Sequence, residues 1–349
     1  MGGMTGIDDD CVQLRREIHR APELAGEERR TAGLVAEQLR AAGLDVTTGV
    51  GGHGIVAVVD GGDGPVIGYR ADLDAVPSED GGAAHTCGHD VHTAVGVGVA
   101  RALAGTPGLR GKVVFYFQPA EENLEGARAM IADGALDRLL PDEIYALHCA
   151  PLPAGMFGIM PGTGLPGHDA GTVVTDRPEH VAAAVEALST VAYPQSPEEY
   201  ERIVADLQTP GGQLQTFVVA NAYVEDERRV RVWVRAWPPE RYDEVREQVR
   251  AIAGAGVDFP APPFPAMVCD PVLSRAAVPH LGTVTETHAM FPFNGEDFAL
   301  FLERVPGAMF YLGVGGEGIP HHSAFTPDER AIGTGIAAMT RLLRARQEP

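Results

Sequence analysis

Lysine is almost absent from this chain. Lys112 is the single lysine among 27 basic residues, which face 48 acidic ones, and the formal charge is −21. That balance argues against nucleic acid or an anionic membrane as a partner, because phosphate binding needs clustered Lys and Arg. No run of eighteen or more apolar residues occurs, so no membrane-spanning helix is expected. Met1 to Asp10 has neither a basic start nor an apolar core, so no signal peptide is expected either. Cysteine is scarce: Cys11, Cys87, Cys149 and Cys269 stand far apart, which fits free thiols in a cytoplasmic protein better than a disulfide framework. There is no internal repeat and no long low-complexity segment.

What is present begins with size. At 349 residues the chain exceeds the length at which one core keeps growing, and its 45 % hydrophobic content reads as soluble and globular, so two domains are expected. The most informative stretch is Cys87-Gly88-His89-Asp90-Val91-His92-Thr93. A thiolate and an imidazole two residues apart are transition-metal ligands, and such ions draw their remaining ligands from elsewhere in the fold. Glu121-Glu122, His148 and His321-His322 are the partners on offer.

The elements place those residues. Apolar positions between Cys11 and Ala42 follow helical spacing, Pro22 divides the stretch into two helices, and Gly43 stops the second. Strand-like runs follow at 44–46, 54–59, 65–72, 111–118 and 143–148, with a small, apolar helix over 93–103. Asp72 and Asp74, Glu121-Glu122 and His148 each fall at a strand exit, where open α/β sheets hold their sites. From about Gly171 the character changes. Helices are expected over 181–191, within 193–206 and over 241–255, and strands over 216–223 and 229–237 around a hairpin at Glu225-Asp226-Glu227. The proline-rich 260–265 returns the chain to the main domain, which ends in a strand over 308–315 and a helix over 328–346. The expected architecture is α/β: a catalytic domain of residues 1–169 and 257–349, and an inserted lid of residues 170–256.

Glu121-Glu122 after Pro119 is, taken alone, an ordinary helix start. Beside a metal it has another use. Neighbouring side chains after a strand point in different directions, so one carboxylate can ligate while the other takes a proton from an activated water and passes it to a leaving amine.

Several stretches together resemble one family. They are Arg15-Arg16-Glu17-Ile18-His19-Arg20-Ala21-Pro22-Glu23-Leu24, Arg70-Ala71-Asp72-Leu73-Asp74-Ala75-Val76-Pro77, His85 to Ala94, and Phe117-Gln118-Pro119-Ala120-Glu121-Glu122. Leu147-His148, Asn294-Gly295-Glu296-Asp297-Phe298 and His321-His322-Ser323-Ala324-Phe325 complete the set. In this order they are similar to the N-acyl-amino-acid amidohydrolases, the group of hippurate and auxin-conjugate hydrolases within the aminoacylase and carboxypeptidase superfamily of metallopeptidases. The resemblance implies a zinc-peptidase-like domain with a central mixed sheet flanked by helices, and a small α+β, ferredoxin-like lid. By position it implies metal ligands Cys87, His89, Glu122, His148 and His321, a general base and acid in Glu121, and in Asp74 a carboxylate that orients a ligand. The cofactor is one or two divalent ions, zinc or manganese. His92 and His85 are expected to hydrogen-bond within their loop, and Cys149 to be a small packed residue. Where the superfamily bridges two metals with a carboxylate, His89 appears at that position; an imidazole does not bridge, so either Cys87 bridges or one ion is tight and the other weak.

The lid departs from the family. The Gly-Gly-His-Ala-Ala-x-x-Pro-His stretch of relatives is missing from Ala170 to His180, the later Asn-containing loop is reduced to the Glu225-Asp226 hairpin, and Pro77 to His85 is shortened. The lost histidine and asparagine polarise the substrate carbonyl and bind its carboxylate, roles worth orders of magnitude in rate. His168, His180 and Arg235 are the candidate substitutes. The expected activity is metal-dependent hydrolysis of an N-acyl amino acid or a related small acylated metabolite, by a monomer or homodimer. The alternatives are a non-catalytic relative that binds a small ligand, and a dipeptidase or carboxypeptidase using the same metal site.

Overall fold

The computed structural model describes residues 4–254 and 256–348. Met1 to Gly3, Ala255 at the end of the helix expected over 241–255, and Pro349 lie outside the described residues. The chain divides into two compact units: Met1–Pro161 with Cys269–Glu286 and Leu300–Pro349, and Gly162–Val268 with Thr287–Ala299.

The first unit is built on an eight-stranded mixed sheet. Its spatial order is Asp45–Val50, Gly54–Asp60, Lys112–Gln118, Val66–Asp72, Glu143–Ala150, Gly307–Gly313, Phe157–Ile159 and Val284–Glu286. The four strands from Lys112–Gln118 to Gly307–Gly313 run parallel, and Asp45–Val50 and Gly54–Asp60 add an antiparallel edge. Parallel strands are covered on both faces, which is why they read as unbroken apolar runs: Val113 to Phe117 are all buried. Three of these neighbours carry the polar residues of interest at their C-terminal ends.

The helix after the metal-type motif is longer than the 93–103 expected from its apolar run. It spans His89–Ala104 and starts inside the motif, because Gly88 (φ +98°) turns the chain directly into it. It is almost wholly buried, packed on Val66–Asp72 and beside the helices Met4–His19 and Arg330–Ala345. Small residues permit this. A Cβ at Gly98 would stand 2.3 Å from Ile336 Cδ1 and 3.0 Å from Cys11 Sγ.

The second unit carries a four-stranded antiparallel sheet. Strand Asp169–Val174 is followed by helix Pro178–Glu186, strands Phe217–Val224 and Arg229–Trp237, helix Arg241–Ala253 and the short strand Val257–Asp258. With the sheet order Phe217–Val224, Arg229–Trp237, Asp169–Val174, Val257–Asp258, this is the βαββαβ ferredoxin-like arrangement. Val230, Val232, Val234 and Ala236 alternate inward and pack with Val181, Val185, Val245 and Val249 of the two helices. Each such valine contributes roughly 1.5–3 kcal/mol of burial. Helix Pro178–Glu186 stops short of the expected 191. Ser189 and Thr190 leave it to bond the strand, with Thr190 N–H donating to the Val218 carbonyl. The unit also takes in residues 287–299, whose Met290 and Phe293 join Phe217 and Val219 in a small core.

Candidate metal centre

The C-terminal ends of three adjacent parallel strands bring the candidate residues together within the first unit. Val66–Asp72 leads to Asp72 and Asp74, Lys112–Gln118 leads to Glu121 and Glu122, and Glu143–Ala150 carries His148. Cys87 and His89 stand at the start of the buried helix. His321 comes from the loop after Gly307–Gly313, where its N–H donates to the Thr86 carbonyl at 2.8 Å.

Cys87 is the common point. Its Sγ lies 3.6 Å from His148 Nε2 and 3.2 Å from His321 Nε2. Glu122 Oε1 is 3.5 Å from both His321 Nε2 and His89 Nε2, and Glu121 Oε2 is 3.7 Å from His89 Nε2. Cys87, His89 and His148 form one three-donor group, and Cys87, Glu122 and His321 form a second. Both contain the thiol.

The imidazoles are aimed from behind. His89 Nδ1 meets Asp74 Oδ1 at 3.1 Å, and Asp74 Oδ2 accepts the Glu122 N–H at 2.9 Å, so one carboxylate fixes two candidate ligands. His148 Nδ1 donates to the Cys149 carbonyl at 2.8 Å, which leaves its Nε2 lone pair facing the site. Such partners set the tautomer and raise ligand basicity.

His92 differs from expectation. It does not bond within its own loop: Nδ1 meets Asp72 Oδ1 at 2.6 Å, and Nε2 accepts the Cys149 N–H at 2.7 Å. Both nitrogens are used, so it has no lone pair to spare for a metal. Asp72 also binds Arg70 Nη1 at 2.6 Å, making a buried network under the site that sequence reasoning did not assemble. The signal was the alternation in Arg70-Ala71-Asp72, two charges on one face of a buried strand. His85 is buried and neither ring nitrogen has a hydrogen-bond partner, so the bond expected for it is not made. Cys149 is buried, with its Sγ 3.8 Å from the Gly88 carbonyl.

The donor set fits divalent metal. His89 Nε2 and Glu122 Oε1 are buried, face each other and have no hydrogen-bond partner, the state of atoms meant for an ion. Burial, reinforced by Glu122 and Glu121, pushes the Cys87 thiol well above its usual value. Burial likewise pushes Glu122 up to about 7, against the pull of His89. Burial opposes charge on His89, but Asp72 and Asp74 outweigh it and hold the ring up to about 10. A bound cation reverses the balance for all three groups.

The backbone is strained in the same place. Among the described residues, the only non-glycines at left-handed φ are Ala120 (+51°), Leu124 (+60°) and His321 (+67°). The first two flank the turn that carries Glu121 and Glu122, and such strain collects at functional sites.

Residues 68–345 match the model of peptidase family M20/M25/M40. The chain belongs to that family. It is 31 % identical over 378 residues to an N-acetyldiaminopimelate deacetylase of Pediococcus pentosaceus, covering 97 % of each protein. It is also 31 % identical over 360 residues to an N-acetylcysteine deacetylase of Bacillus subtilis, covering 92 % of each. Among solved structures, a dinuclear metal-binding peptidase of the M20 family from Bacillus subtilis superposes with a TM-score of 0.78 at 28 % identity, over 98 % of this chain and 99 % of that one. The mixed sheet, the separate α+β unit and the metal-type donor cluster are thus those of an M20 amide hydrolase.

The second unit holds the three candidate substitutes for the family's missing lid histidine. His168 is sandwiched between Trp233 and Phe264, with ring centroids 4.0 and 5.0 Å away, and burial lowers its pKa to about 4. His180 is exposed on Pro178–Glu186. Arg235 Nη1 donates to the carbonyls of Pro166 and Gly167 at 3.4 and 3.5 Å. No helix among the described residues is long and apolar enough to cross a membrane.

Proposed function

We propose that this chain deacylates N-acyl amino acids, with two divalent ions held by Cys87, His89, Glu122, His148 and His321, and with Glu121 as the general base. The observation that carries the reading is the convergence of two donor groups on one thiol, with two buried ligand atoms beside it that make no hydrogen bond. Membership of the family, and similarity over nearly full length to an N-acetyldiaminopimelate deacetylase and an N-acetylcysteine deacetylase, support an N-acetyl amino acid as the first substrate to test.

When bound, the ions supply Lewis acidity, which polarises an amide carbonyl and acidifies an attacking water. Glu121 accepts that water's proton at a carboxylate oxygen and returns it to the departing nitrogen, so amide and water become a carboxylic acid and a free amine. Asp74 keeps the His89 proton on Nδ1 and holds the Glu122 backbone. Cys87 would serve both donor groups, with His89 and His148 on one side and Glu122 and His321 on the other. One thiolate and three imidazoles suit zinc; the carboxylates admit manganese as the second candidate.

The test is twofold. Metal analysis of loaded protein is expected to give two equivalents in the wild type and fewer in Cys87→Ala. Two full equivalents in Cys87→Ala sink the thiolate bridge. Glu121→Gln is expected to hold metal normally while turnover of N-acetyl amino acids falls roughly 10²–10⁴-fold, the usual worth of a general acid–base group.

A further inference from the structure

Glu28 is a fully buried acid with no ion-pair partner among the described residues. Its Oε1 accepts two backbone N–H groups, from Gly26 at 2.7 Å and from Ala120 at 2.8 Å, while Oε2 is buried without a partner. Burial pushes its carboxyl up. Isolating a carboxylate in this way is costly, so the position demands a reason. Helix capping is not that reason. Glu28 precedes the helix Arg29–Ala41 but its side chain makes no cap bond there. Glu23 does that work, accepting from Arg30 N–H and Thr31 N–H at 2.8 Å each.

The far partner is what matters. Ala120 is left-handed (φ +51°), a conformation alanine avoids, and it opens the turn that carries Glu121. The turn is closed by Leu124 N–H to the Glu121 carbonyl and Gly126 N–H to the Ala120 carbonyl, at 2.7 and 3.0 Å. Glu122 has a separate anchor in Asp74 Oδ2. The two neighbouring acids are therefore held by different carboxylates from different parts of the chain.

We infer that Glu28 is a positioning residue for Glu121: it pins the strained Ala120 peptide and so aims the general base, while Asp74 pins the ligand Glu122. The inference rests on Glu121 being the base. It also gives the N-terminal segment, which further ties the Glu23 carbonyl to Ala75 N–H beside Asp74, a role in catalysis without contact with substrate.

The test uses full-length, zinc-loaded protein with an N-acetyl amino acid. In Glu28→Ala, kcat is expected to fall about 10–100-fold, the effect of misplacing a reacting group, with KM within about twofold. Zinc affinity, read by chelator competition, is expected to stay within about threefold, since Asp74 still anchors the ligands. Glu28→Gln keeps an acceptor oxygen for both N–H groups and is expected to hold kcat within about threefold of wild type. Wild-type kcat in Glu28→Ala overturns the inference, as does zinc affinity lost in step with kcat. So does a Glu28→Gln as impaired as Glu28→Ala, which would make charge the requirement. Full turnover by Glu121→Gln overturns the base assignment itself; an inactive Glu121→Gln beside an unimpaired Glu28→Ala overturns only the positioning role. If the alanine variant does not fold, Glu28→Met fills the space without an acceptor and is read the same way. Amide exchange in metal-free protein adds an independent readout. Residues 118–124 are expected to exchange faster in either variant than in Glu28→Gln, and equal rates overturn the inference. If neither variant folds, Glu28→Gln decides alone: kcat below about a tenth of wild type overturns it, and kcat within about threefold supports it.

Discussion

Replacing Asp74 by asparagine removes no volume and yet disarms two ligands at once. Its Oδ1 faces His89 Nδ1 at 3.1 Å, and its Oδ2 accepts the Glu122 N–H at 2.9 Å. An asparagine has one oxygen for these two donors. If the oxygen stays with Glu122, the amide NH₂ meets His89 Nδ1 and forces the ring proton onto Nε2, the atom that faces the site. If the oxygen turns to His89, the NH₂ meets the Glu122 N–H, and a buried donor is left unpaired. Loss of a ligand's supporting partner lowers metal affinity about 10–100-fold, or roughly 1.4–2.8 kcal/mol. Asp74→Asn is expected in the upper half of that range and Asp74→Ala in the lower half, because alanine leaves His89 free to choose its tautomer. The assay is competition between metal-free protein and a chromophoric chelator for zinc. Binding by Asp74→Asn within about threefold of wild type refutes the orienting role.

Three other outcomes follow from the packing along the buried helix His89–Ala104. Gly88→Ala puts a Cβ 2.9 Å from Cys149 Sγ at φ +98°, and a loss of about 2–5 kcal/mol is expected from strain and overpacking together, read by denaturant melts of metal-free protein. Gly98→Ala sets its Cβ 2.3 Å from Ile336 Cδ1 and is expected to cost about 1–3 kcal/mol with metal affinity unchanged. Burial pushes the Cys11 thiol from an ordinary 9.0 to about 12, so above pH 9 the unfolded chain sheds a proton that the native state keeps. Stability then falls as pH rises from 9 towards 12, by about 1.4 kcal/mol per unit from this group. The stability difference between wild type and Cys11→Ala is expected to shift by that slope, and a pH-independent difference contradicts it.

Cys87, His89, Glu122 and His148 were legible as candidates because each is a reactive residue type near a strand exit or a helix start, whereas the choice of His321, in a long loop, rested on the family resemblance alone. Cys87 and His89 sit two apart, Glu121-Glu122 ends an apolar run, and His148 closes another. The start of the buried helix was not legible, because an apolar run that begins at Thr93 cannot show that Gly88 turns left-handed and lets His89 begin the helix. The partners of His92 and Glu28 were hidden for a different reason. Asp72 is 20 residues from His92, and Ala120 is 92 from Glu28, so only the tertiary fold reveals those bonds. In the second unit, alternating valines gave away the strand Arg229–Trp237. Helix Pro178–Glu186 ends early because Ser189 and Thr190 find better partners on the neighbouring strand than in another helical turn. No local pattern announces that choice.

The most direct measurement is the release of free amino acid from N-acetyl amino acids by the purified chain, before and after its metal is stripped and restored. Turnover is expected to vanish with the metal, to return with zinc or manganese, and to be absent from Glu121→Gln carrying the same metal content. Turnover by stripped protein, or by metal-loaded Glu121→Gln at the wild-type rate, contradicts a metal-dependent hydrolase with Glu121 as its base.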